Sequence, residues 1–284
     1  MPRSTDGGER PRARKRFGQH FLEAVWADKV VRAIAPGPGE TFVEIGPGAG
    51  AITYPLAARA RQILAFEIDR DLAARLRAAE VPRLHLVEGD FLDLTPERFR
   101  RELAQMDTPI GPIRVAGNLP YNVASPILFK LVELHAAGIP IADASVMLQR
   151  EVANRLLAVP GTRDYGVLTV LVGRHATIDR LLQLPAGAFR PAPKVQSTVV
   201  RLRFRAADPA VINPGVFDGL TQAVFTRRRK TLANAMLAYP PAVAAGPDTI
   251  LAQAGIDGQR RPETLSLAEI GRLADALCTP PPVR

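Results

Sequence analysis

The stretch Thr41-Phe42-Val43-Glu44-Ile45-Gly46-Pro47-Gly48-Ala49-Gly50 reads as an apolar strand that ends in a glycine-rich turn. A helical pattern starts directly after it, near Ala51. A strand, a glycine turn and a helix in this order are typical of α/β sheets that bind nucleotide cofactors, because glycines let the backbone approach a bound nucleoside closely. The stretch therefore predicts a doubly wound α/β domain, with cofactor contacts at Glu44, Gly46, Gly48 and Gly50.

Short apolar runs alternate with helical patterns from residue 41 to about 149, which favours βαβ units and a mostly parallel sheet. The predicted strands are residues 41–46, 62–68, 84–89, 113–119, 143–148, 169–176 and 197–204, and the predicted helices include 70–80 and 124–136. In the last strand, Arg201, Arg203 and Arg205 alternate with apolar residues. This alternation predicts a half-buried, antiparallel strand with the arginines outward.

Strand patterns stop after Phe204, and prolines at 209 and 214 indicate a linker. The patterns beyond it are helical and include residues 216–238 and 266–277. We therefore expect three parts: a flexible basic arm at 1–16, the sheet domain at 17–205, and a small all-α domain at 206–284.

The composition points to a polyanionic partner. Lysine and arginine number 37 against 28 acidic residues, giving a net charge of +9, so nucleic acid is the leading partner class and a merely soluble basic protein is the alternative. Cys278 is the only cysteine, which excludes an internal disulfide and fits a reducing cytosol. No apolar run approaches the roughly 18 residues of a membrane span, and the histidines show no metal-ligand spacing. We expect a cytoplasmic monomer without a bound metal.

Acidic residues end the next two predicted strands. Glu67, followed by Ile68, comes 21 positions after Gly46, where a carboxylate would accept hydrogen bonds from ribose hydroxyls. Asp90 could bind an adenine amine while Phe91 covers the ring; the alternative is that Asp90 caps the next turn and Phe91 is core. These features suit a nicotinamide cofactor and S-adenosylmethionine equally.

Asn118-Leu119-Pro120-Tyr121 follows the fourth strand and resembles the signature of the N6-adenine methyltransferases. The lone pair of an adenine amine is delocalised into the ring, so acceptors for its hydrogens are needed to localise it. Asn118 and a backbone carbonyl in the Leu119-Pro120 segment can supply these acceptors, and Tyr121 can stack on the extruded base. The alternative is a plain turn, since Asn and Pro favour turns.

Further segments extend the resemblance over nearly the whole chain, to the KsgA-type small-subunit rRNA adenine dimethyltransferases. These segments are Arg16-Phe17-Gly18-Gln19-His20-Phe21-Leu22, residues 146–152, residues 164–168, Phe189-Arg190-Pro191-Ala192-Pro193-Lys194-Val195-Gln196-Ser197 and residues 225–234. Two positions depart from the usual family pattern: His20 stands where Asn is common, and Ala233 where another Arg is usual.

The resemblance implies a Rossmann-like class I methyltransferase domain that uses S-adenosylmethionine. It implies cofactor contacts at Gln19, His20 and Leu22, a base pocket with Phe189 opposite Tyr121, and RNA contacts at Arg227, Arg228, Arg229 and Lys230, whose alternative is a solvated helix face. The implied reaction dimethylates the N6 amines of two adjacent adenosines near the 3′ end of small-subunit rRNA. The implied partner is the assembling small subunit.

Three other functions remain open at this point. A large-subunit rRNA adenine methyltransferase of the macrolide-resistance type would share the cofactor loop and the Asn118–Tyr121 motif. A ribosome-assembly factor could keep the fold without turnover. An oxidoreductase would use the same glycine loop for a nicotinamide cofactor.

Overall fold

Strands and helices alternate in the first two thirds of the chain, and the elements after the last strand are helical. The computed structural model describes residues 20–106 and 111–279, so the predicted arm at 1–16 and Gln19 lie outside the described residues. The strands are β1 (Phe21–Leu22), β2 (Thr41–Ile45), β3 (Gln62–Glu67), β4 (Leu84–Glu88), β5 (Ile113–Asn118), β6 (Ile141–Gln149), β7 (Ala176–Leu184), β8 (Phe189–Arg190) and β9 (Ser197–Phe204). The helices are α1 (Ala24–Ile34), α2 (Thr53–Ala57), α3 (Arg70–Ala78), α4 (Pro96–Ala104), α5 (Ala124–Ala136), α6 (Arg150–Leu156), α7 (Val167–Gly173), α8 (Pro214–Thr226), α9 (Leu232–Met236), α10 (Pro240–Ala245), α11 (Pro247–Ala254) and α12 (Leu267–Cys278).

Seven strands form one sheet in the order β4-β3-β2-β5-β6-β9-β7. β2 pairs in parallel with β3 and β5, β3 pairs in parallel with β4, and β5 with β6. Every residue of β2 and β3 is buried, as expected for parallel strands covered on both faces. The predicted mostly parallel, seven-stranded α/β sheet with a C-terminal helical region is confirmed.

Two compact units share the chain. One comprises residues 20–106, 111–127, 137–150 and 181–201, and its core includes Phe42, Leu56 and Ile63. The other comprises residues 128–136, 151–180 and 202–279, and its core includes Phe217 and Leu273. The domain boundary expected between residues 205 and 206 stays a prediction.

Most predicted elements agree with the structure. Six of the seven predicted strands match β2 to β6 and β9 within two residues, and the predicted helix 124–136 has the bounds of α5. The helix predicted at 266–277 is α12, which starts one residue later because Ser266 and Glu269 cap it reciprocally.

The strand predicted at 169–176 is wrong. Residues 167–173 form helix α7, and strand β7 starts only at Ala176. The run is rich in β-branched residues, but a short apolar run that is fully buried has no diagnostic period. Its helical start is set locally, because the hydroxyl of Thr169 accepts a hydrogen bond from the backbone N–H of Gly166 at 3.2 Å.

The single helix predicted at 216–238 is also wrong, because the chain forms α8 and α9 with a turn between them. The backbone N–H of Leu232 donates to the carbonyl of Arg260 at 2.6 Å, and that of Ala233 to the carbonyl of Gly258 at 3.1 Å. These N–H groups are therefore satisfied by another part of the chain instead of by a continuous helix.

The outward orientation predicted for the arginines of β9 holds for Arg203, which is exposed, but not for Arg201. Arg201 is half-buried and donates to the hydroxyl of Ser145 at 3.1 Å and to the carbonyl of Ile34 at 2.6 Å. A guanidinium at the last turn of α1 satisfies carbonyls that have no partner within the helix. The antiparallel orientation of this strand stays a prediction.

Arg114 on β5 is bonded to four groups of the sheet unit. It is 8% exposed and forms ion pairs with Glu40 at 2.7 Å and Asp143 at 2.9 Å. It also donates to the carbonyl of Ile34 at 2.8 Å and to that of Ala35 at 3.1 Å. Arg114 thereby ties the end of α1 to β5 at the edge of the sheet where the parallel strands begin.

Within residues 20–106 and 111–279, no helix combines the length and the apolar character that crossing a membrane requires.

Replacing Arg114 with Met is expected to lower the free energy of unfolding by about 3 kcal/mol, because the carboxylates of Glu40 and Asp143 lose their buried cationic partner. The carbonyl of Ala35 loses its donor as well, whereas that of Ile34 keeps Arg201. Arg77→Met is the control, since Arg77 pairs with Glu88 at 3.2 Å while half exposed and should change stability by less than about 1 kcal/mol. Chemical denaturation of both variants measures the difference. Equal losses would contradict a structural role for the Arg114 network.

Candidate active site

A cleft opens at the carboxyl ends of β2, β3 and β5, which are neighbours in the sheet. Because parallel strands end at one edge, the residues that follow them meet there. Of the predicted site residues, the cleft brings together His20, Leu22, Glu44, Gly46, Gly48, Glu67, Ile68, Asn118, Leu119, Pro120 and Tyr121.

The glycine loop after β2 has a left-handed backbone at three positions. The φ values of Gly46, Gly48 and Gly50 are +67°, +59° and +85°, which residues other than glycine rarely adopt. A Cβ on Gly46 would meet nothing within 4 Å, so the space above it is open to a ligand. Gly50 does not line the cleft, and a Cβ there would lie 2.5 Å from the ring of Tyr54.

Glu67, at the end of β3, is held by backbone donors. One carboxylate oxygen accepts from the N–H of Gly48 at 2.9 Å and the other from the N–H of Asp69 at 2.8 Å. Its side chain is 3% exposed, and burial raises its pKa. Each oxygen keeps a further lone pair, so the carboxylate can also accept from ligand hydroxyls while it fixes the glycine loop.

Glu44 lines the floor of the cleft. It is 1% exposed, and burial, helped by the nearby Glu67 carboxylate, raises its pKa to about 8. Its Oε2 atom has no hydrogen-bond partner among the described residues. A buried carboxyl oxygen without a partner is unfavourable, so this atom is suited to a donor group on a bound ligand.

The amide of Asn118 is oriented by the main chain of His20. Its Nδ2 atom donates to the carbonyl oxygen of His20 at 2.9 Å. A carbonyl only accepts, so this contact assigns the NH₂ group to that side and leaves Oδ1 as the free acceptor. Since Asn118 lines the cleft, a hydrogen-bond acceptor is available there.

The ring of Tyr121 is fixed at its hydroxyl and at its face. The hydroxyl lies 2.9 Å from Oγ of Ser197, which is fully buried on β9. The imidazole of His20 stacks on the ring, with centroids 5.3 Å apart. Burial raises the pKa of Tyr121, so the hydroxyl stays protonated and can donate.

A two-stranded ribbon holds His20 in place. β1 pairs with β8 in antiparallel register, with Phe21 opposite Arg190. His20 Nδ1 is 2.8 Å from the carbonyl oxygen of Pro191, and an acceptor there requires the proton on Nδ1. The segments before β1 and after β8, both singled out from sequence, therefore meet at the cleft.

Besides Gly50, three residues predicted for the cofactor and base site do not line the cleft. Phe189 is fully buried in the core of the sheet unit, and its place in the base pocket stays a prediction. Phe91 is 4% exposed and packs edge-on against Phe66, as expected if it is a core residue and not a cover for the adenine ring. Asp90 caps the turn after β4 by accepting from the N–H of Leu92 at 2.9 Å, which uses one of its two oxygens.

The basic cluster Arg227–Lys230 lies in the turn between α8 and α9 and not on a helix face. Arg227, Arg229 and Lys230 are exposed, and Arg228 donates to the carbonyl of Arg163 at 2.9 Å. None of the four pairs with a carboxylate in the part of the chain that the structure describes. Across all the described residues, no group of three or more His, Cys, Asp and Glu side chains could hold a metal ion.

Sequence reasoning missed Ser197 as a site residue. Ser197 closes the motif at 189–197, but the sequence gives its side chain no role. Nothing local marks a strand serine as the partner of a tyrosine 76 positions earlier.

Four features meet at one edge of this sheet: an acidic residue within β2, the glycine loop that follows it, the acid that ends β3, and the Asn-Leu-Pro-Tyr turn that begins with the last residue of β5. Together they define a class I methyltransferase. The chain belongs to the ribosomal RNA adenine dimethylase family, which matches residues 10–272. It is therefore an enzyme that uses S-adenosylmethionine as methyl donor. Family membership excludes the oxidoreductase alternative.

Relatives and solved structures agree with this class. The chain is 42% identical to ribosomal RNA small subunit methyltransferase A of Acinetobacter baylyi, over 94% of this chain and 93% of that protein. It is 41% identical to the Vibrio cholerae protein of the same name, over 94% of each. A dimethyladenosine transferase from Plasmodium falciparum shares the fold (TM-score 0.70, 23% identity, 89% and 96% coverage), and the 23S rRNA methyltransferase ErmE is similar (TM-score 0.61, 26% identity, 91% and 100% coverage).

Glu44→Gln is expected to stabilise the ligand-free protein increasingly as pH rises from about 4.5 to 8. In this window the unfolded carboxyl is ionised while the folded one, with its pKa of about 8, is still protonated. Unfolding then releases a proton, so wild-type stability falls with rising pH. Denaturation at pH 5 and pH 8 measures the difference, and parallel pH dependence in the two proteins would contradict it.

Ser197 and Tyr121 are expected to be energetically coupled by about 1 kcal/mol, the usual net value of a buried hydrogen bond. A double-mutant cycle with Ser197→Ala and Tyr121→Phe, read by urea unfolding, measures the coupling. Removing the serine hydroxyl should be much less harmful when the tyrosine hydroxyl is already absent. Additive losses would show that the 2.9 Å contact contributes nothing.

Proposed function

We propose that this enzyme dimethylates the N6 amines of two adjacent adenosines near the 3′ end of small-subunit rRNA. The observation that carries the proposal is the fixed amide of Asn118, whose Nδ2 is bound to His20 and whose Oδ1 is left as an acceptor beside Tyr121. An acceptor next to an aromatic ring is what an adenine amine needs.

The cleft fits S-adenosylmethionine by its own features. Glu44 offers a buried oxygen without a partner among the described residues, and the open space above Gly46 accepts a ligand close to the backbone. In this proposal Glu67 binds the ribose hydroxyls and Glu44 binds the amino group of the methionine part. Ile68, 45% exposed at the cleft, covers the adenine. Contacts from Gln19, His20, Leu22, Gly48, Asp90 and Phe91 stay predictions.

When bound, S-adenosylmethionine supplies a sulfonium methyl group, to whose carbon the lone pair of the adenine amine can form a bond. The chain's task is to make that lone pair available. Asn118 Oδ1 accepts one amine hydrogen. The carbonyl of Pro120 already accepts from the N–H of Val123 at 3.1 Å, whereas no backbone N–H of the described residues donates to the carbonyl of Leu119. In this proposal the carbonyl of Leu119 therefore accepts the second hydrogen.

Tyr121 holds the target base by stacking, with its ring already fixed by Ser197. A ring that is immobile before binding loses little entropy when the base arrives. Asn118 and Tyr121 both contact His20, through its carbonyl and its imidazole. His20 therefore positions the acceptor and the stacking ring together.

The basic cluster Arg227–Lys230 supplies phosphate contacts in this proposal. Its four cations, unpaired with acids among the described residues, would give salt-dependent affinity with little sequence preference. The net charge of +9 suits a polyanionic substrate.

The small-subunit target is proposed from the relatives, because the proteins that are 41% and 42% identical carry that activity in their names. The large-subunit alternative is supported by ErmE, which is 26% identical. We further propose that the enzyme acts in the cytoplasm as a monomer on the assembling small subunit.

The test is methyl transfer from labelled S-adenosylmethionine to under-methylated small ribosomal subunits, with large-subunit RNA in parallel and dimethyladenosine read by mass spectrometry. Dimethyladenosine in small-subunit RNA is expected. Label confined to large-subunit RNA would indicate a resistance-type enzyme. Binding of subunits without any transfer would indicate an assembly factor.

In the same assay Asn118→Ala should lower the rate by at least about 100-fold, the scale seen when one preorganised polar group is removed from a reacting centre. Its affinity for S-adenosylmethionine, measured by calorimetry, should stay nearly intact. Asn122→Ala is the matched control, since Asn122 is exposed and does not line the cleft. Loss of cofactor affinity in Asn118→Ala would refute the assigned role.

A further inference from the structure

The loop 191–196, here called the rim loop, is anchored at both ends to the residues that would hold the target base. At its start, the carbonyl of Pro191 contacts Nδ1 of His20 at 2.8 Å. Directly after its end, Ser197 contacts the hydroxyl of Tyr121 at 2.9 Å. The rim loop thus borders the side of the cleft where Tyr121 lies.

Arg150, which follows the last residue of β6, is joined to the rim loop by two hydrogen bonds. Its backbone N–H donates to the carbonyl of Gln196 at 2.9 Å, and its Nη1 donates to the side-chain oxygen of the same residue at 2.9 Å. The guanidinium is therefore held beside the residue that precedes Ser197.

The charge of Arg150 is not neutralised within the described residues. Its guanidinium bonds to the neutral amide of Gln196, and the adjacent acid, Glu151, pairs with Arg155. Lys194, at the middle of the rim loop, is exposed and forms no ion pair in the same ranges. By contrast, Arg190 just before the loop is paired with Glu23 at 3.3 Å.

We propose that Arg150 and Lys194 form a phosphate-binding edge for the RNA backbone next to the adenosine whose base lies on Tyr121. This inference rests on the proposed function and adds an interaction that acts at the methylated nucleotide, apart from the cluster Arg227–Lys230.

Two physical features favour phosphate as the ligand. A nucleotide whose base enters the cleft leaves its sugar and phosphates outside, so the backbone passes the rim. A guanidinium offers a planar fork of donors that matches phosphate oxygens, and one already oriented by an amide loses less entropy on binding. An ammonium such as that of Lys194 adds a mobile charge beside it.

The test is binding of under-methylated small subunits, measured over a range of KCl concentrations, for Arg150→Gln, Lys194→Gln and the double variant. Arg101→Gln is the charge-matched control, because Arg101 is exposed on α4 and has no ion pair among the described residues. For Arg150→Gln we expect affinity to fall on the order of tenfold. The slope of log affinity against log salt should drop by about 0.7 for each phosphate that is no longer neutralised.

Gln196→Leu keeps the charge of Arg150 but removes its anchor, so it should weaken binding less than Arg150→Gln while leaving the salt slope nearly unchanged. S-adenosylmethionine affinity should be unaltered in all variants. Slopes and affinities equal to those of Arg101→Gln would overturn the proposal. Dimethyladenosine formation by the wild type in the same samples reports separately on the proposed function, because binding is measured whether or not turnover occurs.

Discussion

The parallel pairing of β5 with β2 is the constraint on which the site depends. It places Asn118, the last residue of β5, beside the glycine loop that follows Ile45. The close fit requires a glycine, since a Cβ on Gly117 would lie 2.7 Å from the carbonyl oxygen of Ile45. Without this pairing the glycine loop and the amide of Asn118 would not share one cleft.

The site is built from groups that each serve two partners. Glu67 accepts from the glycine loop and faces the ligand space, and His20 contacts Asn118 through its carbonyl and Tyr121 through its ring. Groups that are already hydrogen-bonded need little reorganisation when substrate binds. This arrangement suits a reaction in which the protein mainly has to present a weak amine nucleophile in the correct direction.

The sequence-based prediction failed where a short local pattern fits more than one structure. Residues 167–173 match a strand pattern but form a helix, whose start is fixed by the hydrogen bond between Gly166 and Thr169. Residues 216–238 match one helix, but backbone bonds from Leu232 and Ala233 to residues 258–260 divide it. Local pattern carries no information about which distant segment satisfies a side chain or an N–H group.

The sequence by itself determined the alternation of strands and helices from residue 41 to about 149, the glycine loop at Gly46 and Gly48, and the acid and amide at the strand ends, because periodicity and turn chemistry are local properties. Tertiary structure alone decided which way the amide of Asn118 faces, that Ser197 holds Tyr121, and that Arg150 reaches the rim loop. Each of these depends on a hydrogen bond between residues 46 to 98 positions apart. Such contacts exist only once the sheet has brought its strand ends together.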